Sequence, residues 1–244
     1  MKLPHIQLED SLAIPYALLP GDPGRVERIA PYLEAVEDLG FHREYRAIRG
    51  KYKGMDVLVM STGMGGTSTA IGMEELKRTG VTHVIRIGSC GALQSELRRG
   101  DLILACGAVR HDGASRAYVE EAYPAVPDTE LLHACITAAQ SLGCRHHVGL
   151  VRSHESFYLD DFRTLCEKWS ALGVMGSDQE TAAVLTVGRL RHLRAASILN
   201  VVNTWDQDTT EGVGAYASGE NAAALGEKHE IMTALEAFHF LWKK

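Results

Sequence analysis

No run of roughly 18 or more apolar residues, the length needed to cross a bilayer, interrupts this 244-residue sequence. Its first residues, Met1-Lys2-Leu3-Pro4-His5-Ile6, lack the apolar stretch of a secretory signal, so the expected setting is the cytoplasm, with no membrane partner. The five cysteines, Cys90, Cys106, Cys135, Cys144 and Cys166, are odd in number, scattered, and form no C-x-x-C pair. That excludes a disulfide framework and a thiolate zinc site, leaving small buried thiols. Eleven histidines are present, yet none falls in a metal-binding spacing such as H-E-x-x-H. Positive charge is in deficit: the formal net charge is -6 and the bases are interspersed with acids, so no basic face suits nucleic acid. Any anion must therefore be gripped locally, by a few converging arginines. Internal repeats, low-complexity tracts and Pro/Gly/Ser-rich linkers are also missing, which favours a single domain over residues 1–244.

What is present is a globular composition, 45% hydrophobic and 23% charged, with strand and helix patterns in alternation. The chain is organised around His83 to Gln94, H-V-I-R-I-G-S-C-G-A-L-Q. A β-branched run delivers Arg86 and then the small-residue turn Gly88-Ser89-Cys90-Gly91. Two glycines let the backbone approach an anion, Ser89 adds a hydroxyl, and Arg86 offers a planar fork of donors. The same pattern also describes a plain strand end. Earlier, Ala17-Leu18-Leu19 runs into Pro20-Gly21-Asp22-Pro23-Gly24-Arg25, which predicts a strand, a sharp turn and a helix capped by Asp22 with Pro23 at its first position. Gly21 and Arg25 then lie beside a helix N-terminus, either for an anion or as an ordinary capped start.

Further strands are predicted over 54–62, 102–109, 147–151 and 195–202, and helices over 68–78, from Asp128 to Gly143, over 160–169, and from Glu180 to about Leu190. The Asp128 helix is expected to bury Leu132, Cys135, Ala139 and Leu142, and the last helix Ile231, Leu235, Phe238 and Trp242. Trp205 to Gly219, polar and glycine-bearing, reads as a mobile flap. The predicted class is α/β: three layers, α/β/α, around a central mixed and mostly parallel sheet, with ligands at the strand ends.

Taken together, P-G-D-P-x-R at 20–25, S-T-G-M-G-G at 61–66, R-I-G-S-C-G at 86–91 and D-Q-E-T-A at 178–182 resemble, in order and spacing, the nucleoside phosphorylase family. The resemblance covers nearly the whole chain. H-R-E-Y at 42–45, R-H-D-G-A-S at 110–115 and F-Y at 157–158 are similar to its uridine-cleaving branch. It implies phosphate-dependent cleavage of a pyrimidine nucleoside, uridine first, to free base and ribose 1-phosphate in nucleotide salvage. It also implies a phosphate site of Gly21, Arg25, Arg86 and Ser89, completed by Arg43 from an adjacent subunit. Glu180 and Gln179 would hold the ribose, with His5 reaching in from the neighbour; Phe157, Asp161 and Arg163 would meet the base. Arg86 and Glu180 are the implied catalytic pair. A dimer is then the smallest active unit, and a hexamer of three dimers the implied assembly. No cofactor is implied beyond phosphate as co-substrate, although Glu44, Met64 and Ser68 match positions that bind a monovalent cation such as K⁺ between subunits. A glutamate satisfied by backbone is the other reading there.

Several positions depart from that pattern. Asp161 stands where an amide would read uracil, and a carboxylate only accepts; it either meets the base or pairs with Arg163. Gln179 replaces a methionine and Thr204 an arginine, while Val202 leaves the purine branch's aspartate without a counterpart. These departures leave open a phosphorylase for a purine or modified nucleoside, or a non-catalytic nucleoside-binding protein on the same fold. A water-using nucleosidase would not need Arg25, Arg43 and Arg86 together.

Overall fold

The structure, a computed structural model, describes residues 1–206 and 221–244. Nine strands form one mixed sheet, in the order β2-β3-β4-β1-β5-β8-β7-β6-β9. They are β1 (Tyr16–Pro20), β2 (Glu34–His42), β3 (Tyr45–Tyr52), β4 (Met55–Met60), β5 (His83–Ala92), β6 (Leu102–His111), β7 (His146–His154), β8 (Gly176–Asp178) and β9 (Arg194–Asn203). Strand β5 is the hub, pairing in parallel with β1 and β9 and antiparallel with β8. Because β9 also pairs antiparallel with β6, that half of the sheet curls round and closes on β5.

Alternation along the central strands builds the layers, since successive side chains face opposite sides of a sheet. Tyr16 and Leu18 of β1, Val57 and Val59 of β4, and Ile85 and Ile87 of β5 join a core with the helices α1 (Pro23–Ile29), α4 (Thr129–Ser141) and α7 (Asn221–Trp242). Ala17 and Leu19, Leu58 and Met60, and Val84 point the other way, onto α2 (Gly66–Arg78) and α6 (Thr181–Leu190). The short α3 (Gly113–Tyr118) packs against α2 and α6, and α5 (Phe162–Ala171) turns Cys166 into a small cluster with Leu93 and Val174. No helix of the described residues is long and apolar enough to cross a membrane.

The predicted start of α1 forms as expected: Asp22 accepts from the Gly24 N–H at 2.8 Å, with Pro23 opening the helix. Asp128 caps α4 in the same way, accepting from Leu131 N–H at 2.9 Å. Other expectations are corrected. Helix α4 buries Leu131, Ala134, Cys135, Ala138 and Ala139, while Leu142 is 38% exposed; small residues let the helix lie close to the sheet, so its inner face is rotated from the one the larger side chains suggest. Trp242 is 47% exposed and stacks on His239 at the frayed end of α7. The hairpin β2–β3 was not foreseen, because β2 is exposed along almost its whole length, bulged between Glu34 and Glu37, and carries no apolar alternation. Beyond Asp206, the flap expected to run to Gly219 lies outside the described residues.

Candidate active site

Strands β1, β4, β5 and β9 run in parallel and release their chains at one end of the sheet. A cavity of about 1350 Å³ opens there, lined by the ends of these strands and the segments that follow them, by Ser177 to Glu180 at the end of β8 and just beyond it, and by α5 and α7.

Arg86 projects from the middle of β5 and is 3% exposed. Its Nε donates to Asp178 at 3.1 Å and its Nη2 to Glu180 at 2.5 Å. The guanidinium folds back over Gly88, where an added Cβ would lie 2.5 Å from Nη2; glycine is required there by close approach. Burial acts against the charge of Arg86, but Glu180 and Asp178 outweigh it and hold the pKa above its usual value. Glu180 is pushed up by burial, with Arg86 opposing, and its other oxygen accepts from Gly65 N–H at 2.6 Å. Asp178 is fixed by the hydroxyls of Ser153 and Thr181, both at 2.6 Å, and by the Thr181 N–H. Arg86 and Glu180 are thus an aligned, buried ion pair on the cavity wall.

Arg25 comes from α1 and is 2% exposed. Its Nε donates to Glu227 at 3.0 Å, its Nη1 to the Ile87 carbonyl, and Nη1 also lies 3.2 Å from Glu230. Arg28 grips the same Glu227 at 2.5 Å. Glu230 is wholly buried, its contact with Arg25 close but not aligned as a hydrogen bond. Burial raises its pKa to about 8 despite Arg25, so the carboxyl is protonated at neutral pH. Gly21 and Ser89 line the wall beside these arginines, and a Cβ at Gly21 would meet the Gly63 carbonyl at 3.2 Å. This end can present planar cations to an oxyanion, each already oriented by a carboxylate.

Gln179, Phe157 and Arg163 also line the cavity. Arg163 donates to Glu167 at 3.0 Å and to the Trp205 carbonyl at 2.9 Å, and lies 4.2 Å over the Trp205 ring. The alternative pairing of Asp161 with Arg163 does not form: Glu167 is one helical turn on, whereas Asp161 precedes α5, is exposed, and stands off the wall that Asp160 lines. Two other expected residues also stand off this cavity. Arg43 is exposed at the β2–β3 turn with φ of 56°, and His5 is held by Glu75, its Nδ1 2.6 Å from the carboxylate. Glu44 and Met64 line the wall; Ser68 does not, but its hydroxyl is 3.3 Å from the Met64 carbonyl, and both Glu44 and Ser68 crowd Gly63. Three oxygen donors of the kind a hard cation takes therefore share one neighbourhood. Among the described residues no group of three or more His, Cys, Asp or Glu is placed to hold a metal ion.

The sequence pointed to none of Glu227, Glu230, His154, Phe162, Cys166 or Trp205. Glu227 and Glu230 arrive on the last helix with no motif around them, and His154 lies three residues beyond the strand predicted over 147–151, which in the structure extends to include it.

Residues 15–235 match the family model described as the Phosphorylase superfamily. The chain is 42% identical over 209 residues to uridine phosphorylase of Thermococcus kodakarensis, covering 81% of this chain and 76% of that protein. It is 38% identical over 200 residues to guanosine phosphorylase of Halorubrum lacusprofundi, covering 82% and 83%. A crystal structure of uridine phosphorylase from Vibrio fischeri superposes with a TM-score of 0.91 at 43% identity, covering 99% of this chain and 97% of that one.

Proposed function

The chain belongs to the phosphorylase superfamily, and on that premise we propose that it is a nucleoside phosphorylase, a pentosyltransferase that cleaves pyrimidine nucleosides, uridine foremost. The observation that carries this reading is the buried Arg86–Glu180 pair on the cavity wall, with Arg25 and Ser89 beside it. Orthophosphate binds against Arg25, Arg86, Ser89 and the backbone at Gly21, with Arg43 of the partner subunit closing the ring of donors. Glu180 and Gln179 hold the ribose hydroxyls, and Phe157 and Arg163 face the base. A phosphate oxygen attacks the anomeric carbon as the glycosidic C–N bond breaks, its electron pair leaving on the base nitrogen. Positive charge developing on the sugar is met by the phosphate dianion, and the products are ribose 1-phosphate and a base that is protonated from solvent.

The placing of Arg43 and His5 away from this chain's own cavity supports an active dimer in which each subunit completes the other's site, with a hexamer of three dimers as the assembly. Glu44, the Met64 carbonyl and Ser68 supply the donors for a monovalent cation, K⁺ in the simplest case; no other cofactor takes part. The setting is cytoplasmic nucleoside salvage. A purine reading is favoured by one specific finding, the similarity to a guanosine phosphorylase.

The test is release of free base from uridine, thymidine, cytidine, inosine and guanosine, each with and without phosphate. Phosphate-dependent release from uridine and thymidine is expected. Release from guanosine alone moves the assignment to purines, and release that ignores phosphate overturns phosphorolysis.

A further inference from the structure

One polar ring stands among the apolar side chains of the cavity. His154, the last residue of β7, lines the cavity with Phe157, Phe162, Cys166 and Trp205, is 4% exposed, and packs edge to face on Phe162 with ring centroids 5.9 Å apart. Its Nδ1 is 2.9 Å from the carbonyl oxygen of Ser156. A carbonyl only accepts, so Nδ1 carries the proton and donates it. Burial lowers the pKa of the ring. The Ser156 carbonyl and Asp178 oppose this, and Arg152 and His111 reinforce it. The imidazole is therefore neutral near pH 7 with its tautomer fixed. Nε2 is left as an acceptor, and no hydrogen bond among the described residues engages it.

We propose that His154 determines base specificity by accepting, at Nε2, the ring N–H of a lactam base. Uracil and thymine carry such an N–H between carbonyls, and hypoxanthine and guanine carry one beside their carbonyl. Cytosine and adenine present a bare nitrogen on that edge, and two lone pairs facing each other in a buried site repel. The inference rests on the phosphorolysis reading and narrows it: the substrate class is the lactam nucleosides, pyrimidine or purine. Uracil and guanine, the bases of the nucleosides for which these two relatives are named, share this donor. Asp161, exposed and off the wall, and Arg163, committed to Glu167 and Trp205, leave that acceptor role open.

The experiment compares kcat/KM for uridine, 3-methyluridine and cytidine in the wild-type protein and in His154→Phe and His154→Gln, alongside calorimetric binding of uracil and 3-methyluracil. Wild type is expected to prefer uridine over 3-methyluridine by about 100-fold, the scale of losing one buried hydrogen bond and leaving a polar atom unpaired. His154→Phe should cut uridine turnover by about 10- to 100-fold and leave 3-methyluridine nearly unchanged, collapsing the ratio. His154→Gln, able to turn its carbonyl to the base, should restore part of it. A ratio that survives in both folded variants overturns the role of His154 while phosphorolysis stands. If no nucleoside is cleaved with phosphate, phosphorolysis fails, and calorimetry alone then decides His154: equal binding of uracil and 3-methyluracil by wild type overturns it.

Discussion

At the arginine end of the cavity the cations are matched to carboxylates: Arg86 with Asp178 and Glu180, Arg25 with Glu227, Arg28 with Glu227 and Asp22, while the protonated Glu230 lies against Arg25. Around Phe157, Phe162 and Cys166, by contrast, His154 is a single neutral ring, and the arginines nearby are already engaged, Arg163 with Glu167 and Arg152 with His111. The first region is built to orient strong charges, at the cost of desolvating them, and it tolerates little change. The second is built to exclude water and to discriminate by one or two directional bonds. Chemistry common to a family suits the first; choice among bases suits the second.

The largest break in that contrast is Arg86→Ala. It removes the bidentate donor and strands two buried carboxylates, so kcat/KM should fall by about 1,000-fold or more and stability by about 3–5 kcal/mol. Steady-state kinetics and denaturant unfolding measure the two together; near-wild-type turnover would separate Arg86 from the reaction. Gly88→Ala tests the same region without touching charge. A Cβ 2.5 Å from Nη2 must push the guanidinium aside, and a loss of about 10- to 100-fold in kcat/KM for phosphate is expected with the fold retained.

Glu230 gives a pH signature of intermediate size. The groups facing it are Arg25, Glu227, Arg86 and the Gly88 N–H, and burial outweighs them to place its pKa at about 8, against an ordinary value of 4.5. Below pH 4.5 the carboxyl is protonated whether the chain is folded or not. Between 4.5 and about 8 only the folded state keeps the proton, so stability falls as pH rises across that window and levels off above it. Glu230→Gln lacks this fall. Melting temperatures of the two proteins from pH 5 to 9 should therefore diverge in favour of the variant, and parallel curves would show that Glu230 is not a buried acid. Above pH 8 the ionised carboxylate also competes for Arg25, so KM for phosphate should rise in wild type more than in the variant.

The same division decides how much could be read from the sequence. Asp22, Pro23 and Arg25 sit within a few residues of the turn that places them, and local rules suffice there. The turn expected at Gly88 to Gly91 is instead strand: β5 continues to Ala92, held by pairing with β9 and β8, so Arg86 and Ser89 are placed by the sheet rather than by a local turn. The central layers were legible because Tyr16 to Leu19 and Val57 to Met60 alternate cleanly between two cores. Glu227 reaches Arg25 only because α7 packs back across β5, a tertiary fact with no local signature. Strand β2 is ordered by pairing with β3 and by Arg46, which ties Glu27 to Asp38, rather than by an apolar face. His154 acquires its tautomer from one carbonyl, which no spacing of residue types encodes.

The smallest effect sharpens the contrast by showing where the base is not read. By sequence, the side chain of Asp161 conflicts with uracil, being an acceptor where a donor is wanted. In the structure it is exposed before α5 and absent from the cavity wall, and its charge is one of the weaker influences on Arg152 rather than a contact with Arg163. An exposed carboxylate that does not line the cavity is screened by water and costs little to remove. Asp161→Gln should therefore change kcat/KM for uridine by no more than about twofold, and the uridine-to-cytidine ratio not at all, in the assay that resolves the His154 variants. A tenfold rise in uridine turnover would mean that the segment before α5 swings inward when the base binds, and would move the reading of the base from β7 to that segment.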